Sequence, residues 1–137
     1  MKKFNFSLQK VLQLRKYKEE ESKIALGQAI GVLSAIENEI KETAMKRHRA
    51  TTERFADTSR IIEWSHYITR LEQEAEALTE KAAQAELVVE EKRAQYLEAS
   101  RELKAMEKLK EKKQHEYRKE VFASETAERD AIAAARR

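Results

Sequence analysis

Side chains capable of acid–base or metal chemistry are present in this sequence, but their spacing does not gather them. Histidine stands at His48, His66 and His115, and none has a His or Cys four residues away to make a two-ligand helix face. Cysteine is absent, which excludes disulfides, thiolate nucleophiles and Cys-based zinc sites. No glycine-rich phosphate loop, no nucleophile elbow and no carboxylate pair in a plausible cleft can be found. The three histidines are therefore expected at the surface, and the chain is expected to be no enzyme and to use no metal or cofactor.

The elements that would have to position any site are much plainer. Of 137 residues 39% are charged, with 2 Gly, 0 Pro and 7% aromatics. A compact domain needs turn residues far more often than this, and a highly charged chain with a helical repeat reads as coiled coil. The repeat is carried by Ile61, Trp64, Ile68, Leu71, Ala75, Leu78, Ala82, Ala85, Val89, Lys92, Tyr96, Ala99, Leu103 and Met106. Steps of three and four alternate without a slip, so these residues form one seam that must lie against another helix.

A second helix precedes it. Ser7 is a candidate N-cap for a helix starting at Leu8, after a lead over Met1–Phe6 that is expected to fray. Leu8, Val11, Leu12 and Leu14 wrap over half of its first turns, which fits either a wider core or an added binding face. Residues 15–23 are mostly charged and are expected to be a solvated stretch held by pairs along the helix. The seam resumes at Leu26, Ala29, Leu33, Ile36 and Ile40. Gly27 and Gly31, four apart, suit a close backbone approach or a slight bend.

From Thr43 to Asp57 the inward positions become Thr43, Arg47, Ala50, Arg54 and Asp57, and Thr51-Thr52 are poor helix-interior residues. Asp57, Thr58 and Ser59 are all N-cap candidates. A chain reversal is thus expected near residues 54–60. Thr69-Arg70-Leu71-Glu72 has a capping-box pattern, so residues 60–68 could form a separate short helix. The rival to reversal is one continuous helix that pairs with another chain. Folding about residue 58 matches the start of helix one with the end of the apolar stripe at Met106, beyond which the same register turns polar at Lys110 and Lys113. That coincidence favours an all-α antiparallel coiled-coil hairpin, a single domain over residues 1–137. Helix one should run over about 8–54, the turn over about 55–60 and helix two over about 61–130.

Charge restricts partners. There are 28 basic and 25 acidic residues, a net charge of +3. Residues 70–91 hold seven Glu against Arg70 and Lys81, whereas residues near the turn and residues 108–119 are mildly basic. Basic residues interleaved with Glu do not make the continuous positive face that nucleic acid requires. No stretch approaches the length of apolar sequence that crosses a membrane, and no apolar run of signal-peptide length follows the lysines of Met1–Asn5. These features predict a soluble, cytoplasmic protein, monomeric when isolated.

The segment Phe4-Asn5-Phe6-Ser7-Leu8-Gln9-Lys10-Val11-Leu12-Gln13-Leu14-Arg15, with Glu19, Glu20 and Glu21 after it, resembles the opening of the FliJ family. Leu109-Lys110-Glu111-Lys112, Tyr117, Glu125 and Asp130 resemble its later part. The resemblance implies a coiled coil similar to the stalk of rotary ATPases, serving the flagellar type III export apparatus at the cytoplasmic face of the inner membrane. It implies binding of the hexameric export ATPase by the end that carries the termini, here Phe4, Phe6, Leu8, Val11, Arg15, Tyr117 and Phe122. It implies contact of the turn end with the cytoplasmic domain of the membrane export gate, where an aromatic followed four residues later by Leu matches Tyr67 and Leu71. The family's aromatics near the end of helix one have no counterpart around Ala44 and His48. Escort of export chaperones is a further implied role. Two other readings remain open here: a general structural coiled coil that homodimerises, and an export chaperone that binds substrate directly.

Overall fold

A computed structural model describes residues 3–136; Met1 and Lys2 of the expected frayed lead lie outside the described residues. The chain is all-α, two long helices packed against each other as a helical hairpin. Helix α1 spans Gln9–Ala56, a 3-10 turn spans Thr58–Arg60, and helix α2 spans Ile61–Ala135. Residues with high helix propensity fill both helices, and no Pro interrupts either.

The reversal needs neither Gly nor Pro because Asp57 supplies it. Its backbone leaves helical geometry at φ −126 and ψ 94, while its N–H still closes the last turn of α1 on the Glu53 carbonyl at 2.9 Å. One carboxylate oxygen then accepts from the Ser59 N–H at 3.1 Å and from the Ser59 hydroxyl at 2.6 Å. A short polar side chain thus does locally what a positive-φ glycine does in other turns. The hydroxyl hydrogen bond to Ser59, then its backbone hydrogen bond, then the nearby Arg60 charge hold the Asp57 carboxyl below its usual range.

Two local expectations are corrected. Residues 60–68 are no separate helix: Arg60 ends the 3-10 turn, Thr69 does not cap, and its hydroxyl donates to the Ser65 carbonyl at 3.0 Å within continuous α2. Thr51 and Thr52 lie inside α1, and each hydroxyl donates to the carbonyl four residues back, at 2.9 and 3.1 Å. The N-cap position of α1 falls on Leu8 rather than Ser7, since the Leu8 carbonyl accepts the first helical bond, from Leu12 N–H at 2.9 Å.

The chain divides into two compact units, Met1–Glu21 with Leu97–Arg137, and Ser22–Tyr96. In the Ser22–Tyr96 unit the buried side chains are Ala29, Thr43, Ala50, Ile68, Leu71, Ala82 and Val89. All but Thr43 and Ala50 belong to the apolar seams read from sequence, and those two continue the same spacing. The seam therefore does not break after Ile40; it becomes small and polar. Ala50, Ile68 and Leu71 form a core cluster with Trp64 and Tyr67 packed on it. Burying Ile68 and Leu71 contributes roughly 2 kcal/mol each.

In the unit made of the two chain ends, Phe6, Leu12 and Ala99 are buried. Lys3–Phe6 are not helical, but Phe6 anchors them, so the described part of the lead is docked rather than frayed. Leu12 is 1% exposed, while Leu8, Val11 and Leu14 are 39%, 36% and 50% exposed. Of the two readings of that apolar cluster, a wider core is excluded: one leucine is core and three residues face outward. Arg15 and Glu19 are half-buried at seam spacing, so the charged stretch is not uniformly solvated.

Candidate functional site

Helix period decides what reaches the surface of each unit. In the unit of the chain ends, Arg15 follows Leu12 by three residues and therefore points toward α2. Its Nη1 meets Oε2 of Glu102 at 2.5 Å, with the two side chains 31% and 38% exposed. The arginine expected on a partner surface is thus engaged within the chain. Phe4 lies beside Tyr117 with ring centroids 5.5 Å apart and planes tilted by 48°. These rings, with Phe6, Lys113, Glu116 and Glu120, line a groove between the lead and α2. Leu8, Val11 and Phe122 are exposed, Phe122 at 70%. The seven residues expected to bind an ATPase all fall within this one unit, but in three settings: buried (Phe6), half-buried with an aromatic or ionic partner (Phe4, Tyr117, Arg15), and open (Leu8, Val11, Phe122).

In the Ser22–Tyr96 unit, Leu71 is 3% exposed and belongs to the core. Tyr67 is half-buried. Its ring meets Trp64 edge-on at 6.2 Å and 69°, and the Arg70 guanidinium lies 5.6 Å from its centroid. Only Tyr67 of that pair presents a surface. Ala44 and His48, the positions without family aromatics, line a groove with Thr43, Arg47, Thr51 and Ala75. Small residues there leave open space against α2. Arg47, on the wall of that groove, reaches Glu72 at 3.4 Å. Sequence reading missed this groove; its signal was the switch to small and polar seam residues at Thr43 and Ala50.

The turn carries a further exposed group that the sequence reading passed over. Phe55 and Ile62 are 71% and 69% exposed and Ile61 is 44% exposed. The Arg54 guanidinium sits 5.0 Å from the Phe55 ring centroid, and Arg60 is tied to Glu63 at 2.7 Å. Phe55 and Ile62 lie outside the three-four spacing that defines the seam, and Ile61 is the first residue of α2, where that seam begins.

Among the described residues no three His, Asp or Glu side chains converge in the manner of a metal site, and no helix is long and apolar enough to cross a membrane. The surfaces just described are apolar and aromatic grooves and patches, suited to binding other proteins. A family model described as "FliJ: Flagellar FliJ protein" matches residues 4–136. No curated protein and no solved structure matches the chain.

Proposed function

The chain belongs to the FliJ family, whose members are components of the flagellar export apparatus, and from that membership we propose that it works as a stalk-like coupling protein. The unit of the chain ends binds the hexameric export ATPase and promotes assembly of its ring. The Ser22–Tyr96 unit contacts the cytoplasmic domain of the export gate through Tyr67, with Leu71 holding Tyr67 in place from the core. The protein thereby sits at the cytoplasmic face of the inner membrane without spanning it, and it also escorts export chaperones. It carries out no chemistry of its own, in keeping with a structural family not known for enzymes.

The observation that supports this reading is the run of outward-facing apolar residues at the start of α1, on either side of the buried Leu12. Leu8, Val11 and Leu14 face outward, as does Phe122, in the same unit as the Phe4–Tyr117 pair. An isolated hairpin gains nothing from exposing them, whereas a partner ring that encloses them would bury them. The direct test measures oligomerisation and turnover of the purified cognate export ATPase with and without this chain. Increased ring formation and turnover is expected. An ATPase indifferent to the added chain removes the basis of the proposal.

A further inference from the structure

Helix α1 carries thirteen consecutive residues, 24–36, without a charged side chain, in a protein that is 39% charged. Only part of this run serves the hairpin. Leu26, Ala29, Leu33 and Ile36 face α2, but Ile24, Ile30 and Val32 are 55%, 45% and 57% exposed. On the side away from α2, Ile24, Gly27, Gly31, Ser34 and Asn38 recur at steps of three, four, three and four, and all are exposed. This is a second seam, with no occupant among the described residues.

Its two glycines have no reason within the fold. Each costs roughly 1 kcal/mol relative to Ala inside a helix. Neither has a positive φ, and a Cβ at either position would meet nothing within 4 Å. What they do provide is an outer backbone that another helix can approach closely.

We propose that this face binds a second copy of the chain, α1 against α1, antiparallel about a twofold axis near residue 29. The argument is self-complementarity. A twofold contact places each patch on itself. In the antiparallel register Gly27 of one copy lies against Gly31 of the other, and Ile24 against Ser34. At the edges Ile30 meets Ile30 and Gln28 meets Gln28 across the axis. Lys23 of each copy meets Glu37 of the other. Both are exposed, and neither is in an ion pair among the described residues. A parallel pairing instead sets Glu37 beside Glu42 of its neighbour, so charge selects the antiparallel arrangement. The hairpin stays intact, and its own seam is untouched. The patch is short, below the roughly 1,200 Å² of a stable interface, so the association is weak, with a Kd on the order of 100 µM.

Sedimentation velocity across concentrations from about a tenth to about ten times that value tests it. The expected result is a reversible shift from monomer to dimer. Gly27→Leu with Gly31→Leu, which finds open space within the hairpin, should abolish the shift while circular dichroism shows unchanged helicity. Lys23→Glu should weaken the dimer by about tenfold, and adding Glu37→Lys should restore it. As the chain has no Cys, Ile30→Cys should give a disulfide-linked dimer on mild oxidation and Leu87→Cys, on α2 and away from this face, should not. A chain that remains monomeric throughout overturns the proposal. So does a dimer that persists with leucine at both glycines, or equal cross-linking at the two cysteine positions. A monomer whose leucine variant loses a purified partner of the export apparatus would assign the face to that partner and overturn the self-pairing.

Discussion

Arg15 and Glu102 stand 87 residues apart in sequence and meet at 2.5 Å across the unit of the chain ends. The pair joins α1 to α2 beside Ala99 and Leu103, before the seam turns polar at Lys110. Both groups keep about a third of their exposure, so solvent screens the attraction. We expect a double-mutant cycle with Arg15→Ala and Glu102→Ala to give a coupling of about 0.5 to 1 kcal/mol, decreasing as salt is added. A coupling of zero would show that the register is set by Leu12 and Ala99 alone.

Tyr67 and Leu71 share a helix face but should separate on mutation. Leu71→Ala opens a cavity beside Ala50 and Ile68 and should cost about 2 to 4 kcal/mol in thermal or urea unfolding. Tyr67→Ala removes a half-buried ring from Trp64 and Arg70, should cost about 1 kcal/mol, and should keep the helicity. Weaker binding of Tyr67→Ala to the purified gate domain is expected. A stability loss as large as that of Leu71→Ala would place Tyr67 in the core.

Phe6 and Phe122 make the matching contrast in the other unit. Phe6→Ala should destabilise by about 3 kcal/mol because it releases the lead from α2. Phe122→Ala should leave the melting temperature unchanged and reduce stimulation of the export ATPase. Full stimulation by Phe122→Ala would remove that residue from the proposed ATPase surface.

The turn gives a pH signature. The folded carboxyl of Asp57 titrates below its unfolded range, chiefly through the Ser59 hydroxyl and then the Ser59 N–H. Its contribution is therefore present above the usual carboxylate range and is lost as pH falls through the depressed folded value. In an NMR titration Ser59→Ala should move the Asp57 midpoint up toward the ordinary value. An unmoved midpoint would exclude the Ser59 hydroxyl as the main cause.

Gly27→Ala and Gly31→Ala should each raise stability by about 0.5 to 1 kcal/mol, since the added methyl meets nothing within the chain. A destabilised variant would mean that the methyl meets another helix or that the helix bends at that point.

Alternation at three and four residues fixed which side of each helix turns inward, because a helix returns its side chains to one face whatever their chemistry. That is why the seam from Trp64 to Met106 could be read directly, and why Asp57 and Ser59 marked the reversal without Gly or Pro. Composition misled where it was allowed to overrule period. Residues 15–23 looked solvated because they are charged, yet Arg15 and Glu19 sit at seam positions. Thr69 looked like a cap because of its neighbours, but continuous α2 offered its hydroxyl a carbonyl four residues back.

Register was less legible. A fold about residue 58 puts Arg15 opposite Arg101, Arg47 opposite Thr69 and Phe4 opposite Lys112. Their partners are Glu102, Glu72 and Tyr117, so each lies further along α2 than symmetry predicts. Long arginine side chains reach along the neighbouring helix. The lead to Phe4 is not helical and covers about twice the distance per residue that a helix does.

The sequence by itself determined the helices, their inward faces, the place of reversal and, through the opening from Phe4 to Arg15, the family. Each depends on neighbours along the chain or on helix period. Only the tertiary structure decided which of Leu8, Val11, Leu12 and Leu14 is core, that Arg15 is held by Glu102, that Phe4 rests on Tyr117, and that Tyr67 packs on a cluster that includes Ala50 of the other helix. Those outcomes depend on where the second helix lies relative to the first, and no local pattern carries that distance.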